Sequence, residues 1–223
     1  MSEFTDELLE KITTEYDELK LYDKQIVMIL KSIESSSNYN NAYSYGKKLA
    51  KRLADIMEKH MPNGEAYYGT LLQILEPSIK NLYTDITNAC VTIQNNKNAI
   101  AGLGIKAQTN AMSKQMASVM ASRLSLDPDY EKALVDYSAE VVDKNLKANM
   151  KFGEKLGFGV KVTRTYDGIG IRYRKDACQW CLNRAGTKQF RNATEAGYDP
   201  IFERHNGCGC MIDYTNLYKG KRS

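Results

Sequence analysis

The chain has 223 residues, 43% of them apolar and 26% charged, with only four prolines and a net charge of +4. That length supports one ordinary domain or two small ones with a real core, and the composition excludes a disordered chain. No stretch approaches about eighteen uncharged apolar residues, and the N-terminus, MSEFTDELLEKITTEYDELK, is acidic and amphipathic; together these argue against a membrane span or a secretory signal and predict a cytoplasmic protein with reduced thiols.

The predicted elements begin with one long amphipathic helix from Thr5 to about Glu34, whose apolar positions Leu8, Ile12, Tyr16, Leu19, Ile26, Leu30 and Ile33 recur at three- and four-residue steps. The polar run SSSNYNN at 35–41 breaks it and offers N-caps to a second helix carrying Leu49, Leu53, Ile56 and Met57. Pro62, Asn63 and Gly64 end that helix. A third, begun or kinked at Pro77, repeats Ile79, Leu82, Ile86, Cys90 and Ile93, which makes Cys90 a small buried hydrophobe. After a glycine-containing connection at 102–104, Met112, Met116, Val119 and Met120 mark a fourth helix, with the methionines as core filler. Asp127-Pro128 reads as an N-cap and first turn, and Leu134, Tyr137 and Val141 form the buried face of a fifth helix reaching about Met150.

At residue 151 the character changes. Residues 1–150 carry 17 Lys plus Arg against 20 Asp plus Glu, whereas 151–223 carry 14 against 7. Gly153, Gly157 and Gly159 punctuate the start of this region, and VKVTRTYDGIGIRYRK reads as two β-rich runs joined by Asp167-Gly168. Neither GLG at 102–104 nor GFG at 157–159 has the third glycine and strand-to-helix context of a phosphate loop. The expected architecture is therefore mainly α: a helical domain of about five helices over 1–150, and a small β-containing metal module over 151–223.

The metal expectation comes from cysteine and histidine spacing. Cys178-Gln179-Trp180-Cys181 is C-x2-C; after a spacer of 23 residues, His205, Cys208 and Cys210 form H-x2-C-x-C. A C-x2-C turn brings two thiolates to one ion, and a second pair from a distant knuckle closes a tetrahedron. Five candidates compete for four places. Residues two apart on an extended segment share a face, so Cys208 and Cys210 can both turn to the metal with His205 beside them. Alternatively His205 and one of those cysteines serve. In a reducing compartment this set predicts one zinc ion ahead of disulfides.

An excess of soft ligands favours a closed, structural zinc over a catalytic one, which keeps an open position for water. The deaminase pairing of H-x-E with P-C-x-x-C is absent, since Asn206-Gly207 follows His205 and Ala177 precedes Cys178. An HNH-type nuclease needs further histidines, and the other one, His60, falls on a predicted helix far from the cluster. No Ser-His-Asp or Cys-His arrangement presents itself either, so the chain reads as a non-enzyme. Arg172, Arg174, Lys175, Lys219, Lys221 and Arg222, with Tyr173 and Trp180 among them, suggest contact with DNA or an acidic protein surface. The plainer reading, which we favour, has Trp180 covering the metal and the basic residues forming a solvated face.

The stretch from Val141 to Tyr214 resembles the C-terminal region of minor head proteins of tailed phages and prophages of Gram-positive bacteria. These are related, in their zinc-knuckle portion, to the head-morphogenesis proteins typified by phage Mu. The resemblance is carried by Asn149 and Phe152, Cys178 and Cys181, Ala185-Gly186 and Phe190, Arg204-His205, Cys208 and Cys210. The helical part, with ILEPSIKNLYTDITNAC and GLGIKAQ, is similar less distinctively. The resemblance implies a structural virion component acting in head assembly or carried in the particle, and found in the host cytoplasm while particles form. It also implies contact with capsid or portal proteins, in several copies or as a homo-oligomer, with packaged DNA a further candidate partner and no membrane involved. A second reading, from another class, is a zinc-dependent nucleic-acid-binding protein with a packaging or regulatory role.

Overall fold

The computed structural model describes residues 3–61, 68–166, 178–205 and 207–218. Among them are eight α-helices and a three-stranded antiparallel sheet near the C-terminal end, so the chain is mainly helical.

The expected first helix is two: α1, Glu3–Tyr22, and α2, Lys24–Ser35. Asp23 makes the break, because its extended backbone leaves the helix and its carboxylate accepts hydrogen bonds from the amides of Gln25, at 2.8 Å, and Ile26, at 3.2 Å. That capping starts α2 afresh with a new facing. Ile26 and Ile33 are buried, whereas Leu30 lies on the outer side. Helix α3, Asn40–His60, begins after the polar run at Tyr39, which has no side-chain cap. Instead Asn38 Oδ1 accepts from the Asn40 amide at 2.8 Å.

Helix α4, Tyr68–Ile100, passes through Pro77 and starts well before it. The Ser78 hydroxyl donates to the Ile74 carbonyl at 2.8 Å, in the turn where proline interrupts the ladder. Gly46 of α3 lets the two helices approach closely: a Cβ there would stand 3.1 Å from Ile86 Cδ1. Gly102, at φ 68°, closes α4, with the Leu103 amide donating to the Asn98 carbonyl at 2.8 Å.

Helix α5, Met116–Leu124, is shorter than the methionine pattern suggested: Met112 lies in the preceding irregular segment and Val119 is exposed. Helix α6, Tyr130–Lys155, is capped by Asp129, whose carboxylate accepts from the Lys132 amide at 2.9 Å, so Asp127 is not the cap and Pro128 precedes the helix. It buries Leu134, Tyr137 and Val141 as expected and continues past Met150 to Lys155.

From there the chain forms β1, Gly159–Thr165; α7, Gln179–Leu182; β2, Gly186–Phe190; α8, Ala193–Gly197; a 3-10 turn, Pro200–Phe202; and β3, Met211–Leu217. Strand β1 is central, with β2 on one edge and β3 on the other. The turn at Asp167-Gly168 and the run after it lie outside the described residues, as do Pro62, Asn63 and Gly64 and the basic groups Arg172, Arg174, Lys175, Lys219, Lys221 and Arg222 with Tyr173. Strand alternation turns Val160, Val162 and Arg164 of β1 and Ile212 and Tyr214 of β3 inward. These apolar side chains join the helical residues in one continuous buried core, and α6 spans the boundary at 150.

A polar knot sits where sheet and helices meet. Gln94 Oε1 of α4 accepts from Tyr39 Oη at 2.9 Å and from Tyr214 Oη at 3.0 Å. Lys97 donates to Asp213 Oδ1 at 3.0 Å and to the Tyr214 carbonyl at 2.6 Å. Buried polar atoms are costly unless they find partners, and these have them.

Candidate metal centre

The five sequence candidates converge. Cys178, Cys181, Cys208 and Cys210 form a buried cluster of their own, with Tyr166 and Trp180 packed against it. Cys178 precedes α7 and Cys181 sits within it, so one helical turn brings both thiols to the same side. Gly207, at φ 72°, turns the second knuckle, and the Cys208 amide donates to the His205 carbonyl at 3.1 Å. His205 Nε2 lies 3.4 Å from Cys178 Sγ and 3.0 Å from Cys181 Sγ, and Cys181 Sγ lies 3.8 Å from Cys208 Sγ.

These are close to the edges of a small tetrahedron. Metal–sulfur bonds of about 2.3 Å and metal–nitrogen bonds of about 2.0–2.1 Å put neighbouring donors roughly 3.5–3.8 Å apart. The donor atoms fall into two overlapping triads, Cys178-Cys181-His205 and Cys181-Cys208-Cys210, each with all atoms within 4.8 Å. Cys181 belongs to both. The donor set therefore fits a metal ion, and its sulfur-rich chemistry is that of soft or borderline ions.

The knuckle is docked on α6 by charge. Arg204 forks onto Asp143, with Nη2 to Oδ1 at 2.8 Å and Nε to Oδ2, and its Nη1 donates to the Cys210 carbonyl at 2.7 Å. Tyr43 Oη of α3 donates to the same Asp143 carboxylate. One turn pair earlier on α6, Asp136 accepts from the Gly207 amide at 3.0 Å, and burial raises its carboxyl above the usual range. From the sheet side, Arg164 donates to Cys208 Sγ at 3.3 Å. The Cys208 thiol is pulled down to about 4, first by a hydrogen bond from Cys210 and then by the cations of Arg204 and Arg164, while Cys210 is pushed up by its bond to Cys208 and by burial. Burial also pushes Cys181 up to about 11.

Trp180 is engaged at this centre. Its ring meets His205 edge-on, with centroids 4.9 Å apart, and Arg184 stacks over it at 3.7 Å. Tyr166 Oη accepts from the Cys178 amide at 3.2 Å. Below the centre a cleft of about 460 Å3 opens between α5, α6 and the second knuckle, reached by His205 and Cys208. Its carboxylates are already engaged: Asp143 with Arg204, Asp136 with the Gly207 amide, and Glu140 with Lys144 at 2.6 Å.

Away from the centre, Cys90 is 1% exposed in the helical core, and burial pushes its thiol well up. His60 ends α3 and contacts Glu15 of α1 at 2.8 Å. Spacing alone did not single out Arg164, Asp136 or Asp143. Arg164 was nonetheless legible: in VKVTRT, period two places it on the same face as Val160 and Val162. Asp136 and Asp143 are seven residues apart, two helical turns on one side, a weaker signal. Comparison of the chain with protein-family models, with curated proteins and with solved structures finds no match.

Proposed function

We propose that this chain is a structural minor head protein of a tailed bacteriophage, in which a single zinc ion held by the Cys/His cluster makes a rigid docking surface for capsid or portal proteins. The observation that carries the reading is the meeting of two x2 knuckles, separated by 23 residues in sequence, on the face of one long helix. That pattern, with its Arg204-His205 lead-in, is the one on which the resemblance to phage minor head proteins rests. Zinc suits it because a d10 ion accepts tetrahedral sulfur and imidazole donors without a redox demand. A closed, thiolate-rich site stabilises structure and has little use as a Lewis acid, which favours assembly over catalysis. No helix among the described residues is long and apolar enough to cross a membrane.

Two measurements test this. Protein purified without added metal should carry about one zinc per chain, and mass spectrometry of purified particles should find the chain at a fixed copy number. Metal-free protein, or particles lacking the chain, would remove the respective half of the proposal.

One observation favours nucleic acid as a further partner. Lys144, Lys147, Lys151 and Lys155 follow three- and four-residue steps along one face of α6, and Lys151 and Lys155 are exposed and form no ion pair among the described residues. Helix-dipole effects reach only the last turn, so they account for Lys155 and not for the stripe. Against this, the described basic groups beyond the helix are mostly neutralised: Arg184 by Glu203, Lys188 by Asp199 and Arg191 by Glu195. Retention on mixed-sequence DNA that falls steeply with salt would support a DNA-contacting role, and no retention at low salt would remove it.

A further inference from the structure

Arg164 is 1% exposed, among the most deeply buried large side chains of the protein. A guanidinium stays protonated inside a protein, so this fold encloses a full positive charge. Its Nη1 donates to the carbonyls of Ile201, at 2.8 Å, and Glu203, at 2.6 Å, its Nη2 donates to Cys208 Sγ at 3.3 Å, and its Nε has no partner among the described residues. Carbonyls supply dipoles and no countercharge. Among the described residues Arg164 forms no ion pair with a carboxylate, in contrast to Arg204, which has the whole of Asp143.

A lone buried charge is strongly unfavourable, and folds keep one only where something opposite in sign sits beside it. The anion within reach is the thiolate cluster. A divalent ion with three thiolates and an imidazole has one net negative charge, and with four thiolates it has two. Resting on the reading of the cluster as a metal centre, we infer that Arg164 is the buried counter-charge of an anionic metal–thiolate complex, positioned by β1 to hold Cys208 as a ligand. It is a positioning residue: it touches the sulfur and not the ion. The contact thereby favours Cys208 as one thiolate of the set. The indole of Trp180, 5.4 Å from the Arg164 guanidinium and edge-on to His205, covers the same side of the complex and keeps water from screening the pair.

The test compares two variants of the full chain. Arg164→Gln keeps hydrogen-bond donors for the carbonyls and removes the charge; Arg164→Lys keeps the charge and loses the planar fork. Zinc affinity is measured by competition with a chromophoric chelator, and thermal midpoints are recorded with zinc and after its removal. Outer contacts to metal ligands are typically worth about 10–100-fold in affinity. Arg164→Gln should therefore weaken zinc binding about 10- to 100-fold, with Arg164→Lys staying within a few-fold of the parent protein. With zinc removed, Arg164→Gln should be no less stable than the parent protein.

Equal affinity in all three proteins overturns the inference and leaves the metal centre standing, as does equal weakening in both variants, which would make the fork and not the charge decisive. A parent protein that binds no zinc removes both readings together. Should neither variant fold, cobalt substitution of the parent protein decides: charge-transfer bands from three or more thiolates support the anionic complex, and fewer than three overturn it.

Discussion

The helical region and the C-terminal region are held together by different physics. In α1 to α6, buried Leu, Ile, Ala and Met at helical spacing form the core, and its stability is spread over many side chains. Strand β2, by contrast, is exposed along most of its length, and α7 and α8 are only one turn or so long. Val160, Val162, Ile201, Ile212 and Tyr214 tie this part to the shared apolar core, and a knot of sulfur donors, the buried Arg164, the half-buried Arg204 and two carboxylates on α6 fixes the rest. Apolar cores fail gradually as atoms are removed, whereas ligand and ion-pair networks fail at once when a member is lost.

Substitutions should break that contrast open in a definite order. Cys181→Ser acts on the donor shared by both triads, so it should abolish metal binding and unfold the C-terminal region while far-UV circular dichroism retains most helix. Retained metal with a native C-terminal region would contradict it. Asp143→Ala strands the half-buried Arg204 guanidinium and the buried Tyr43 hydroxyl together, at a cost of at most about 3–5 kcal/mol in denaturant unfolding, because Arg204 keeps some water. Leu82→Ala, fully buried in α4, should cost about 2–5 kcal/mol without any change in metal content. The caps form a finer pair: Asp129→Ala should cost about 1 kcal/mol, and Asp127→Ala less than about 0.5 kcal/mol.

Acid titration gives a small effect too, with opposite signs at two helical carboxylates: Glu15 on α1, and Asp136 on α6 under the knuckle. The Lys59 and His60 hydrogen bonds hold Glu15 below the usual carboxylate range, so its stabilisation is present above the unfolded value and disappears as pH falls through the folded one. Asp136 is raised by burial, so its ionised form opposes folding at neutral pH and that penalty is relieved on acidification. Glu15→Gln should therefore lower stability at pH 7 by less than about 1 kcal/mol and change little in acid, while Asp136→Asn should show no such acid-sensitive loss.

Much of this was legible in the chain itself. Helical periodicity located the buried faces of α3, α4 and α6, and the x2 spacings located the cluster, because both signals are local. Boundaries were less legible: Asp23 splits one apolar pattern into two helices by capping, and Asp129 outcompetes Asp127 by a turn that periodicity does not register. Strand β2, GTKQF, has no alternation to betray it, since it pairs with β1 through its backbone and one Thr163–Thr187 hydroxyl contact while its side chains up to Phe190 are exposed. The docking of Asp143 on Arg204 joins positions 61 residues apart, a distance over which sequence spacing is silent.

The hydroxyl and amide knot around Gln94 has a mechanical consequence. Apolar packing between sheet and helices resists sliding by itself, and directional bonds from Tyr39 and Tyr214 to one shared oxygen add an angular constraint that apolar contacts lack. Whatever grips the strands thus pulls on the long helices without slack, as a key turns its shaft.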